Sequence, residues 1–468
     1  MGYGIFYNPI EQLVLEQFSA EPPFGGSTFV SSPLLQTPYV LQSGSTIPNP
    51  FNGVLSPKTG TAVDWSVFRP ILLFGEFQPH LRTQYADQYN LTFQRQLTQS
   101  LRLQIGYVGT QAHRLLASHD LNFGNAQTCL DLNDILGAGT CAPFGEDVQY
   151  LIPPGTIIQT SSGGLHLPYN AGSGGLFIPN GTTVTNGVDL VGIRPFSSPL
   201  CQPLTGVNCP PDQTPVFSNI FAEDTTGNSS YNALQISLEQ NFSHGLQFTA
   251  AYTFSKSLDN ASSFEELLNP INPRLSRSLS LFNSTHRFVF SPYWVLPIPK
   301  YDGFRGKMFD GWGASAIVTY QSGFPIRILD GNDQELMGSF FFLPVGEPDR
   351  TGPFQTFNGR KVQTFNGVSA NYFFNPNNFA DSNLAQFGNS PRTICCGPPI
   401  SNTDISILKR TRINERWDTE FRAEFFNAWN HTQFLSPDGN FSDLGSTFGV
   451  VTNTRDPRVI QFALKFLF

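Results

Sequence analysis

The last eleven residues, Arg458-Val-Ile-Gln-Phe-Ala-Leu-Lys-Phe-Leu-Phe468, put Ile460, Phe462, Leu464, Phe466 and Phe468 on one side of an extended chain and end on an aromatic. Side chains of a strand alternate between its faces, so this run has one wholly apolar face. Its length matches the roughly 9 to 11 residues that a tilted strand needs to cross bilayer hydrocarbon. The pattern predicts a strand of a membrane barrel with these five residues toward lipid.

Composition restricts the alternatives. Charged residues are 13% of the chain, about half the usual share in soluble domains, while Phe alone contributes 44 residues. That is too little charge for an ordinary wetted surface. Yet mean hydropathy is only -0.16, and no apolar run approaches the roughly 18 residues of a spanning helix; the densest are residues 71–74 and 340–343. A helical membrane protein is excluded. A barrel reconciles these facts, because strands that alternate lipid-facing and lumen-facing residues average out in any hydropathy window. The net charge of -8 argues against a nucleic-acid partner.

Alternating segments come in pairs. Residues 89–97 and 101–107 flank Thr98-Gln99-Ser100, which sets Phe93 opposite Ile105. Residues 234–238 and 246–254 flank Ser243-His244-Gly245, read as a three-residue loop with Gly at its left-handed position, and keep Ile236 and Tyr252 on one face. A third pair, 403–413 and 417–427, places Arg412 opposite Asp418 and Arg410 opposite Glu420, with Trp417, Phe421 and Phe425 on the other side. An Arg at mid-depth on a lipid face would cost about 2–4 kcal/mol, so the charge pairs belong to a watery lumen. Residues 288–296 and 312–321, separated by a Pro/Gly-bearing turn, add two strands, and residues 2–7 one more. With the terminal run, about ten strands are visible.

The remaining gaps are long: 8–82, 109–227, 257–285, 322–400 and 431–457. Short turns and long gaps alternate, as do periplasmic turns and external loops in outer-membrane barrels. The reading is an all-β, antiparallel transmembrane barrel of outer-membrane type, in part, with long external loops and a periplasmic carboxyl terminus. All six cysteines lie in the gaps, which predicts loop disulfides Cys129–Cys141 and Cys201–Cys209 beside the adjacent Cys395-Cys396.

Several motifs together resemble the barrel of Oar-like TonB-dependent outer-membrane receptors: Gly2-Tyr-Gly-Ile-Phe-Tyr7, Ser230-Tyr-Asn-Ala-Leu-Gln-Ile-Ser-Leu238, Tyr252-Thr-Phe-Ser-Lys-Ser-Leu258, Gly311-Trp312 with Tyr320-Gln-Ser-Gly-Phe-Pro325, Phe421-Arg-Ala-Glu-Phe-Phe-Asn427 with Asn430-His431, and Thr454-Arg-Asp-Pro457. The resemblance runs from end to end. It implies a 22-stranded barrel, a plug, an amino-terminal β-sandwich, an outer-membrane assembly machinery that reads the terminal strand, an inner-membrane energy-coupling complex that acts through the plug, and energised uptake of a bulky nutrient, such as an oligosaccharide or peptide, or binding at the cell surface. No cofactor is implied. Residues 1–9 carry no basic and apolar leader, and no plug, TonB-contacting box or sandwich precedes the first strand. The expectation is that residues 1–468 are the carboxyl-terminal part of such a receptor.

Enzymatic readings are weak. Ser284 and His286 lack an orienting third group, and the Asp131-Leu-Asn-Asp134 and Asp330-Gly-Asn-Asp333 fragments lack the rest of a calcium loop and are read as turns. The glycine runs 161–164 and 172–175 have no phosphate-cradle context. Trp294, Trp312, Tyr320, Trp417 and Trp429 are read as girdle residues. Loop aromatics at 340–342 and 372–374 are candidates for stacking on a ligand. Two alternatives share part of this pattern, a non-transporting surface adhesin or structural barrel and a soluble secreted β-sandwich lectin.

Overall fold

The computed structural model describes residues 1–9, 36–37, 40, 71–168, 176–197, 217–263, 266–299, 301–338, 346–414, 416–443 and 445–467. Ten strands run through it in one ladder: β1 (Gly2–Asn8), β2 (Gln84–Gln96), β3 (Leu101–Asp120), β4 (Phe217–Ser243), β5 (Leu246–Asp259), β6 (His286–Val295), β7 (Trp312–Gln321), β8 (Ile400–Arg412), β9 (Asp418–Phe426) and β10 (Val459–Leu467). Each pairs antiparallel with the next in sequence. The ladder is not closed: among the described residues β1 and β10 do not meet.

Register carries the period-two pattern from strand to strand. Phe93 faces Ile105, which faces Ile236, then Tyr252, Phe288 and Tyr320. Further along, Ile405, Phe425 and Ile460 form another apolar row. The opposite face carries Ser315, Ser406, Glu424 and Gln461 in one row. A slip of one residue in any strand would put polar groups into the apolar face. Among the described residues no second layer covers that face, where Phe462 is 67% and Leu464 60% exposed. The soluble sandwich reading therefore fails, since a sandwich buries such rows against a second sheet.

Four departures from the sequence reading have physical causes. The loop between β4 and β5 has two residues: Ser243 pairs with Leu246, and His244 (φ 53°) and Gly245 (φ 79°) both adopt left-handed backbone, the type I′ geometry that matches strand twist. β3 and β4 run far beyond the alternating segments, to 20 and 27 residues. Their outer parts are buried on both faces, as Ala117, Ser118, Asp120, Phe221 and Ala222 show, and alternation disappears there. The gap 8–82 contributes a strand, Ile71–Phe77, which pairs parallel with β4 beyond the point where β5 leaves it. The gap 109–227 contains a helix, α1 (Ala126–Leu136), capped by the Asn125 side chain accepting from Thr128 N at 2.9 Å. Asp131-Leu-Asn-Asp134 thus lies on a helix and not in a turn. Asp330-Gly-Asn-Asp333 is a turn, with Asn332 N donating to Asp330 Oδ1 at 2.9 Å.

The motif Asn427…Asn430-His431 acquires a reason. Asn427 and Asn430 hold φ of 46° and 51°, which Asn tolerates better than most residues. Asn427 Oδ1 accepts from His431 N, and Asn430 Oδ1 from Arg458 N, fixing the return into β10.

The two faces of β10 generate a test. In the full-length protein, Phe462→Arg is expected to destabilise the barrel by about 2–4 kcal/mol, whereas Gln461→Arg stays within about 0.5 kcal/mol. Urea titrations read by heat-modifiable gel mobility compare them; equal effects would show that the two faces are not chemically distinct.

Candidate functional site

Two regions can meet a ligand: the polar face of the sheet and the folded loops at one end of it. On the polar face the register sets Arg412 opposite Asp418 and Arg410 opposite Glu420, with Lys465 opposite Glu420 from the other side. Contacts run diagonally, as long side chains allow. Arg410 Nη2 approaches Asp418 Oδ2 at 3.7 Å, Arg422 Nη2 takes Glu420 Oε1 at 2.7 Å, and Arg412 Nε donates to the Asn414 carbonyl at 3.4 Å. A further ion pair, Arg102 with Glu239, lies on the same face of β3 and β4. The wall is hydrophilic, with charges of both signs.

The long connections fold into a cap with its own cores. One core packs Cys129 and Leu132 of α1 with Tyr150, Ile152, Leu165 and Leu190. Cys129 and Cys141 are joined by a disulfide, their Cα atoms 5.4 Å apart. A second core gathers Ile326, Ile328, Phe373, Phe374, Phe379, Phe441 and Phe448 from two different connections. Tyr372, Phe373 and Phe374, read from sequence as ligand-stacking aromatics, are at most 9% exposed, and the two phenylalanines belong to this core. In a cap lacking long regular elements, Phe rings supply the buried area that holds the connections together.

Two arginine clamps cross-link these connections. The Arg194 side chain is fully buried and reaches Asp147 at 2.8 Å, Glu146 at 3.1 Å and Asp120 at 3.6 Å, and donates to the carbonyls of Asn122 and Met337. Gly338, at φ 58°, lets the backbone pass so close that a Cβ would collide with Glu146 and Arg194. The second clamp joins Arg392 to Asp259 and, at 2.6 Å, to Glu266, whose other oxygen lies 3.2 Å from Arg327; Arg327 also approaches Glu347 at 3.6 Å. Through Asp120, Glu146, Asp147 and Met337 in the first clamp, and Asp259, Glu266, Arg327 and Glu347 in the second, the described parts of three connections are tied together.

Burial pushes several cap carboxyls up: Glu146 to about 8, with Asp333 adding repulsion, Glu223 to about 7, Glu347 to about 7 and Asp330 to about 6. Glu266 is held below the ordinary range because Arg327 and Arg392 outweigh its burial.

Sequence-identified residues are distributed as follows. Ile460, Phe462, Leu464 and Phe466 share the apolar face of β10, while Phe468, Cys201, Cys209, residues 172–175 and the aromatics 340–342 lie outside the described residues. Cys395 and Cys396 are bonded to each other. Ser284 and His286 do not form a nucleophile–base pair: His286 Nδ1 meets Tyr252 OH at 2.8 Å, and Ser284 Oγ donates to the His286 carbonyl. Among the described residues no group of three or more His, Cys, Asp or Glu could hold a metal ion. The clamp residues Arg194, Arg327 and Arg392 escape sequence reading, because an isolated arginine in a long connection carries no local signal of its partners.

Two outcomes follow for the cap. Arg194→Gln leaves Asp120 buried without its counter-charge and should destabilise the cap by about 3–5 kcal/mol; limited proteolysis should then cleave the cap while the barrel keeps its heat-modifiable mobility. Folded pKa values raised above the unfolded ones mean that the cap binds protons an opened cap would release. That stability is present below the unfolded carboxyl range and is lost as pH rises through about 6 to 8. Hydrogen-exchange protection of the cap, corrected for intrinsic rates, should fall between pH 5 and pH 8.5 while β5 to β10 hold theirs.

Solved structures with a similar chain path are outer-membrane proteins. The outer membrane transporter YddB from Escherichia coli aligns at 8% identity and TM-score 0.38, over 85% of this chain and 34% of that one. The ferripyoverdine receptor of Pseudomonas aeruginosa aligns at 9% and 0.33, over 83% and 27%, and the siderophore receptor PirA from Acinetobacter baumannii at 10% and 0.35, over 84% and 33%. The chain thus spans about a third or less of the length of these proteins. No curated protein sequence matches it. A family model described as an outer membrane beta barrel domain matches residues 1–461, nearly the whole chain, and agrees with the ladder of alternating strands. The chain belongs to the outer membrane beta-barrel domain family, and its place is the outer membrane.

Proposed function

We propose that this chain supplies carboxyl-terminal staves of the barrel of a TonB-dependent outer-membrane transporter. In this reading the external cap captures a nutrient, and the polar face of β3 to β10 lines its route inward. A plug, contributed by sequence other than residues 1–468, would gate that route under the control of the inner-membrane energy-coupling complex. The terminal strand, with Ile460 to Phe466 toward lipid, is what the outer-membrane assembly machinery would engage. One observation carries the proposal: a hydrophilic face, with Ser315, Ser406, Glu424 and Gln461 in one row and Arg102, Glu239, Arg410, Glu420, Arg422 and Lys465 toward the short turns, runs from those turns to a cap built from the long connections. A non-transporting adhesin or structural barrel would share this polar face, and only uptake separates the two readings. The oligosaccharide or peptide class of ligand follows from the resemblance alone.

The test uses the full-length protein in its own cell. Periplasmic extracts are compared by untargeted mass spectrometry between strains with and without the gene, each with an intact or deleted energy-coupling complex. At least one solute of the medium should accumulate only when both are present. If no solute depends on both, the transport reading fails and a surface-binding role replaces it.

A further inference from the structure

The apolar face does not end in neutral surface at its cap end. Along β4 the residues of this face pass from Leu238, Ile236 and Leu234 to Asn232, Ser230 and Asn228. Each of these three polar residues meets a cationic or phenolic side chain. Asn232 Oδ1 accepts from Tyr107 OH at 2.7 Å and Tyr89 OH at 3.2 Å, and its residue pairs with Lys256 of β5. Ser230 Oγ accepts from Arg277 Nη2 at 3.1 Å, and Asn228 Oδ1 lies 3.3 Å from His113 Nδ1. Lys256 is exposed and makes no side-chain hydrogen bond or ion pair among the described residues. The neighbouring carboxylate on β5, Asp259, belongs to the other face and is bound by Arg392.

The segment that carries Arg277 is two-sided. Ser276, Ser278 and Ser280 are buried and fixed to the cap: Arg392 Nε donates to the Ser276 carbonyl at 2.9 Å, Ser278 Oγ lies 2.7 Å from Thr393 Oγ1, and Ser280 Oγ 2.8 Å from Ser257 Oγ. The residues that alternate with them, Leu275, Arg277 and Leu279, form the other side, and Leu279 pairs with Leu258 on the continuation of the apolar face. Ile271, Leu275 and Phe282 are between 63% and 66% exposed, although an aqueous loop would gain nothing by presenting them.

Depth places these groups. Phe254 is the last aromatic of the apolar face on β5, with Lys256 two residues and Leu258 four residues beyond. At about 3.3 Å per residue along the strand, they lie roughly 7 and 13 Å past Phe254, and strand tilt shortens the vertical distances. The headgroup layer is roughly 5–7 Å thick on each side of the hydrocarbon. Lys256 therefore lies in that layer, and the Arg277 guanidinium, held on Ser230 opposite Leu258, directly beyond it.

We propose that Lys256 and Arg277 form a seat for the phosphorylated headgroup of an anionic lipid of the outer leaflet. The site is separate from the transport route and does not depend on the transport reading. To test it, full-length protein purified from outer membranes in non-ionic detergent is exchanged against dioctanoyl phosphatidylglycerol or dioctanoyl phosphatidylcholine, and retained lipid is counted by native mass spectrometry. The wild-type protein should retain phosphatidylglycerol in preference. Lys256→Gln and Arg277→Gln should each lower that preference about fivefold, with heat-modifiable mobility unchanged. Equal retention of the two lipids by the wild-type protein would overturn the proposal whatever the variants do, and so would an undiminished preference in a folded double variant.

Discussion

Within a bilayer every backbone N–H and C=O has to find its partner inside the protein, because the hydrocarbon offers none. The ladder from β1 to β10 meets this condition for each inner strand on both of its sides. Its outermost strands meet it on one side only, among the described residues. A row of unpaired backbone groups on β1 or β10 would cost several kcal/mol per group in lipid, more than any side-chain contact along those strands could offset. The sheet is stable in a membrane only as part of a closed ladder, so the open edges of β1 and β10 have to be paired in the assembled barrel.

The same constraint explains why the side chains are so regular. Once the backbone is fixed as a single-layer sheet, each strand has one face for lipid and one for water, and register alone distributes the chemistry. Phe421 stacks on Phe462 with ring centroids 6.2 Å apart on one face, while Glu420 binds Arg422 and faces Lys465 on the other. Neither face contains a core in the ordinary sense. The conventional cores lie in the cap, where water is present on the outside and Phe rings can be buried.

This division also accounts for what could be read from sequence. The membrane part of the ladder was legible because each strand samples lipid and water alternately: the β7 bounds and the pairing of Phe93 with Ile105 follow from that period alone. Outside the membrane the constraint vanishes. The outer halves of β3 and β4 are buried on both faces, the strand Ile71–Phe77 pairs in parallel, and α1 is a single short helix within a gap of more than a hundred residues. Asn125 and the apolar positions 129, 132 and 136 carry a helix signal there, but it is masked by the surrounding loop-like composition. The clamps were invisible for a different reason, since Arg194 meets Asp120 and Met337 across separations that no local pattern encodes.

Those clamps determine how the cap can move. Arg194 binds groups before and after α1 and also the connection that follows β7, while Arg392, at the far end of that connection, binds Asp259 and Glu266 beyond β5. Lifting any one connection alone would strip a buried arginine of some carboxylates and leave charges unpaired in a low-dielectric interior, at a cost of several kcal/mol. Moving the three together preserves every one of these pairs. The low-cost displacement of the cap is therefore a collective one, since only that keeps each buried arginine with its carboxylates.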